Sequence, residues 1–123
     1  MSNVEKTILI VEDGETLNKM LKYLFMSKGI KVESAVNGRD ALELLKLGPP
    51  DLFIIDLMMP EMDGFELCEH LRSMDQYRQT PIIVLSALKE ESNSRRLAGL
   101  SVAHYMEKPF SPADLVEKVS ALL

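Results

Sequence analysis

Five polar residues stand where an apolar framework has no use for them. Glu12 and Asp13 follow the run Thr7 to Val11, Asp56 follows Leu52 to Ile55, Ser86 follows Ile82 to Leu85, and Lys108 lies just past a weaker run, Ala103 to Met106. One such Asp is ordinarily a turn residue or a helix cap. Five together point to a shared site. Glu12, Asp13 and Asp56 are acidic and only Lys108 is basic, so two negative charges are left unmatched. At about 4 Å and an effective dielectric near 20, each like-charged pair costs ~4 kcal/mol, so a cation belongs there. A few carboxylates open to water suit Mg²⁺, with Mn²⁺ as the alternative, better than they suit a calcium cage. A carboxylate beside such an ion, with an amine and a hydroxyl close by, has the parts for phosphoryl transfer. An aspartate can itself be the nucleophile and become an aspartyl phosphate. Asp56 is the candidate, because it closes a central run, whereas Asp51 lies at the opposite end and Asp63 and Asp75 fall in loops.

For those residues to meet, the runs that carry them must lie side by side. Thr7 to Val11, Leu52 to Ile55 and Ile82 to Leu85 are continuously apolar and rich in Ile and Val, the mark of parallel strands covered on both faces. Lys31 to Val36 and Ala103 to Met106 are weaker strand candidates. Between the runs, Leu17, Met20, Leu21, Leu24 and Phe25 repeat at helical spacing, and Gly29 ends that helix. A second helix is capped by Asn37, with Asp40 three residues on, buries Ala41, Leu44 and Leu45, and stops before Gly48. A third, from about Phe65 to Met74, aligns Phe65, Cys68 and Leu71. The segment Lys89 to Arg96 has no apolar residue, so the fourth helix is expected to bury little at its start and to be the loosest. Ser111, Pro112 and Asp114 open the fifth helix, which turns Leu115, Val119 and Leu122 to the sheet. Strand and helix thus alternate five times, an α/β layered fold. Ligands of such sheets bind outside the carboxyl ends of the strands, where the five polar residues converge.

The 123 residues are 46% hydrophobic, enough for one domain and too few for two large ones. A net charge of −5 disfavours direct nucleic-acid binding. Cys68 is the only cysteine, which excludes an internal disulfide and a cysteine zinc cage. The start, Met1 to Lys6, lacks the apolar stretch of a signal peptide, and no run approaches the ~20 residues that span a bilayer. The expectation is a soluble, cytoplasmic protein with no membrane partner, and a single domain over residues 1–123 with no output domain.

The motifs Ile8-Leu9-Ile10-Val11-Glu12-Asp13, Asp56-Leu57-Met58-Met59-Pro60 with Met62-Asp63-Gly64, Ile83-Val84-Leu85-Ser86-Ala87 and Lys108-Pro109-Phe110 together resemble the receiver domain of two-component response regulators, across essentially the whole chain. That resemblance implies a three-layer, doubly wound flavodoxin-like fold with a five-stranded parallel sheet in the order 2-1-3-4-5. It implies that Asp56 accepts a phosphoryl group from a sensor histidine kinase or histidine phosphotransfer protein. Asp13, Asp56 and the backbone carbonyl of Met58 would ligate Mg²⁺, with Glu12 helping through water. Lys108 would pair with the phosphate, and its bond to Pro109 would be cis. Ser86 would move its hydroxyl onto the phosphate and Tyr105 would turn inward, changing the surface offered to a downstream protein or output domain. The resemblance also implies a monomer or a weak, phosphorylation-dependent dimer. Met58 and Leu88, at positions that tune hydrolysis in that family, cannot orient an attacking water and imply a long-lived phosphoryl group.

The chain departs from the family before its fifth strand, where Ser101-Val102-Ala103-His104 replaces a Gly-Ala-Asp-Asp-like turn. A dehalogenase-type phosphatase would need a second Asp where Met58 stands. A flavodoxin-like FMN carrier would need a phosphate cradle where Glu12-Asp13-Gly14-Glu15 repels one. A receiver that only docks partners would not retain every site residue. His70 and His104 have no ligand-spaced partner and read as solvated or packing residues.

Overall fold

The computed structural model describes residues 5–59 and 62–123. Met1 to Val4 and the motif residue Pro60 lie outside the described residues.

Five strands, β1 (Thr7–Val11), β2 (Lys31–Ala35), β3 (Leu52–Asp56), β4 (Ile82–Ser86) and β5 (His104–Glu107), alternate with helices α1 (Glu15–Met26), α2 (Gly38–Leu44), α3 (Gly64–Ser73), α4 (Glu90–Leu97) and α5 (Pro112–Leu122). All four strand pairings are parallel, in the order β2-β1-β3-β4-β5. The three central strands are almost wholly buried, whereas β2 and β5 at the edges are only partly so. That accounts for their unequal signals in the sequence. β5 runs one residue later than its expected span, and β2 stops before the exposed Val36.

Successive residues along a strand point to opposite faces, and the core divides accordingly. Leu9, Val11, Phe53, Ile55, Ile82 and Val84 pack on one face with Ala41, Phe65, Cys68 and Leu71 from α2 and α3. Ile8, Ile10, Leu52, Ile54, Ile83 and Leu85 pack on the other with Leu21 and Phe25 of α1 and Leu115 and Val119 of α5. Caps begin three helices: the side chains of Asn37, Asp63 and Ser111 accept the backbone N–H of Asp40, Glu66 and Asp114. Met20 is 41% exposed and lies outside the buried stripe of α1, which is Asn18, Leu21 and Phe25.

Arg72, near the end of α3, ties the edge of the sheet opposite the carboxyl ends. Its guanidinium donates to the carbonyls of Leu100, Tyr77, Thr80 and Ser101, at 2.6–3.0 Å. Ser101 has φ +54°, so two of these bonds hold a turn that most residues avoid.

Candidate functional site

The register that sets Val11 beside Ile55 makes their successors, Glu12 and Asp56, neighbours at the carboxyl ends of β1 and β3. By the two-residue period Glu12 continues the face of Ile8 and Ile10, and Asp56 that of Leu52 and Ile54. Both acids are 2% exposed, while Asp13 is exposed. Carboxylate oxygens of all three lie within 4.8 Å of one another, and this is a cluster with the geometry to hold a metal.

Lys108 lies just past β5 and faces this cluster. Its ammonium donates to Glu12 Oε1 at 2.9 Å and Asp56 Oδ2 at 3.3 Å. The second oxygen of each acid is bonded to the main chain, Glu12 Oε2 accepting Gly14 N–H at 2.8 Å and Asp56 Oδ1 accepting Met58 N–H at 3.1 Å. Burial raises the Asp56 carboxyl, the Met58 N–H lowers it, Glu12 raises it and Lys108 lowers it, leaving it pushed up to about 6. Burial also pulls the Lys108 ammonium down, but its bond to Glu12 and the charges of both acids outweigh that and hold it above its ordinary value. One ammonium against three carboxylates does not neutralise the pocket. Hard oxygen donors with a net negative charge fit a small divalent cation.

The start of α3 is pressed tightly against the end of β3. Gly64 N–H donates to the Leu57 carbonyl, and a Cβ at Gly64 would collide with the Asp56 carbonyl oxygen, so only glycine lets α3 start there. The Met58 side chain is 53% exposed beside it.

Ser86 is fully buried at the end of β4. Its hydroxyl accepts Leu88 N–H at 3.0 Å, and its carbonyl accepts Lys108 N–H at 2.7 Å. Tyr105 is half-buried, and its hydroxyl donates to the Leu88 carbonyl at 2.6 Å while accepting the Asn93 amide at 2.7 Å. The Lys108–Pro109 peptide is cis.

Glu12, Asp13, Asp56 and Lys108 are thus brought together, with Ser86 one residue beyond the Asp56–Leu85 pairing of β3 and β4. Two buried amides escaped the sequence reading. Asn93 holds the Tyr105 hydroxyl, and Asn18 donates to the carbonyls of Glu12 and Ala35. For Asn18 a signal existed: a polar residue at i−3 from Leu21 and i−7 from Phe25 interrupts an apolar stripe.

The sequence matches the family model of the response regulator receiver domain over residues 8–120. It is 37% identical over 120 residues to the alkaline phosphatase synthesis transcriptional regulatory protein PhoP of Bacillus subtilis (strain 168), covering 98% of this chain and 49% of that protein. It is 38% identical over 116 residues to the phosphate regulon transcriptional regulatory protein PhoB of Rhizobium meliloti (strain 1021), covering 94% of this chain and 51% of that protein. The chain spans about half the length of these curated relatives. Among solved structures, the Vibrio cholerae chemotaxis protein CheY4 superposes with a TM-score of 0.90 at 28% identity, covering 98% of this chain and 100% of that one. The signal receiver domain of a histidine kinase from Syntrophus aciditrophicus gives 0.87 at 36% identity, covering 96% and 89%.

Proposed function

The chain belongs to the response regulator receiver domain family, and from that premise we propose that Asp56 is its phosphoacceptor. The observation that carries this is the convergence of Glu12, Asp13 and Asp56 within 4.8 Å beside the Lys108 ammonium. Glu12, Asp13, Asp56 and the Met58 backbone carbonyl would hold Mg²⁺, or Mn²⁺ in its place. When bound, the ion supplies charge neutralisation for the phosphoryl oxygens.

An Asp56 carboxylate oxygen attacks the phosphorus of a phosphohistidine on a sensor kinase or histidine phosphotransfer protein. The new O–P bond forms as the N–P bond breaks, and the imidazole leaves. Lys108, already 3.3 Å from Asp56, pairs with the incoming phosphoryl oxygens. The Ser86 hydroxyl accepts from Leu88 N–H and keeps its own proton for a phosphate oxygen. Drawing that hydroxyl toward Asp56 pulls on Leu88, whose carbonyl holds Tyr105, so the charge gained at Asp56 is felt at the α4–β5 surface offered to a downstream protein or output domain. Residues 1–123 act as a single receiver domain in the cytoplasm, as a monomer or a weak phosphorylation-dependent dimer. Met58 and Leu88 flank the acceptor without a group able to orient water, so loss of the phosphoryl group is slow.

Incubation with acetyl phosphate and Mg²⁺, followed by intact-mass measurement, tests the assignment. A phosphoryl adduct is expected on the wild type and none on Asp56→Asn; an adduct on both variants, or on neither, refutes it.

A further inference from the structure

We infer that Asn18 is a positioning residue for the metal site, holding the backbone on both sides of Asp13. This rests on reading Glu12, Asp13 and Asp56 as a magnesium site.

Helix α1 turns Asn18, Leu21 and Phe25 inward, at i, i+3 and i+7. A leucine at the first of these positions would complete the stripe, whereas an amide 6% exposed is tolerated only with its N–H groups bonded. Both bonds go to one place. The side chain donates to the Glu12 carbonyl at 2.9 Å and to the Ala35 carbonyl at 3.0 Å, which also accepts Glu12 N–H. The backbone N–H of Asn18 donates to the Gly14 carbonyl at 2.8 Å.

The Asn18 side chain therefore grips the peptide that precedes Asp13, while its backbone N–H closes the first helical turn on the Gly14 carbonyl just beyond. Asp13 needs that grip. Its side chain is exposed and makes no hydrogen bond or ion pair among the described residues, so its carboxylate is aimed by the main chain alone. Gly14, which caps α1, offers no side-chain bond of its own. Glu12 and Asp56 are placed by Lys108 and by backbone N–H groups. Asp13 is the member of the cluster whose position hangs on Asn18.

The test is Mg²⁺ titration of the full 123-residue chain, followed by amide NMR, on the wild type, Asn18→Ala, Asn18→Leu and the control Leu21→Ala. Both Asn18 variants are expected to weaken Mg²⁺ affinity roughly 10- to 100-fold, the usual effect of removing a group that orients a ligand. Without metal, Asn18→Leu should melt no lower than the wild type. Leu21→Ala should melt lower yet keep the wild-type Mg²⁺ affinity. Wild-type affinity in Asn18→Leu, or an equal loss in Leu21→Ala and Asn18→Ala, overturns the role. Should Asn18→Leu fail to fold, the pair of alanine truncations decides. A wild type that takes up no Mg²⁺ would retire the magnesium reading itself, a result distinct from unchanged affinity in the variants.

Discussion

Helices α3 and α4 follow the two strands that end in Asp56 and Ser86, yet they are held in opposite ways. α3 starts from an Asp63 cap and buries Gly64, Phe65, Leu67, Cys68 and Leu71. α4 has no side-chain cap at Lys89, and among its described side chains only that of Asn93 is buried, with Leu97 partly so. What fastens α4 is polar: the Asn93 amide on Tyr105, the Glu90 N–H on the Glu107 carboxylate at 3.2 Å, and the Arg96 guanidinium. That guanidinium stacks 3.8 Å over the Phe65 ring and lies 3.8 Å from the Asp63 carboxylate, so α4 leans on α3. Asp56 is thus backed by packing, and the element beyond Ser86 is held by a few exchangeable bonds. Apolar packing fixes one geometry, whereas polar contacts with water nearby are broken and remade at little net cost.

The contrast predicts a graded series. Leu71→Ala should destabilise the whole domain by ~2–5 kcal/mol in urea unfolding, while Leu97→Ala costs about 1 kcal/mol or less; equal losses would erase the distinction. Asp56→Asn comes next. With its folded-state value raised to about 6 from 3.8, the metal-free native chain binds more protons than the unfolded one between those values. The contribution of Asp56 to native stability is therefore greatest below about pH 4, falls as pH rises to about 6, and stays low above that. Removing this buried charge should raise metal-free stability near pH 7 by ~1–3 kcal/mol and abolish that decline. The gain should appear in global unfolding and leave α4 exchange untouched. Asn93→Ala should cost about 1 kcal/mol and speed amide hydrogen exchange in α4 without changing α3. Arg96→Ala, which removes only the stack on Phe65 and a long ion pair, should cost about 0.5–1 kcal/mol, again confined to α4.

The central strands were legible because burial on both faces demands unbroken apolar runs, and the caps at Asn37 and Ser111 because their bonds span three residues. The site acids were legible because charge at the end of such a run has no packing purpose. Arg72 was not, since its acceptors Leu100 and Ser101 lie 28 and 29 residues away and leave no local trace. Nor was the grip of Asn18 on Ala35, 17 residues on, although its intrusion into an apolar stripe was visible. Gly64 stood out only as part of the motif Met62-Asp63-Gly64. The lack of room there for a Cβ against the Asp56 carbonyl is a fact of tertiary packing.

Arg72 fastens the chain just past the carboxyl end of α4, on the side of the sheet away from the acids. An eight-residue helix is a rod of about 12 Å, and a rod pinned at one tip swings where a free one would slide. The largest travel then falls at Leu88 and Lys89, beside Ser86, and the smallest at the clamp. A small pull on the Ser86 hydroxyl would act at the long end of that lever, with the guanidinium as its fulcrum.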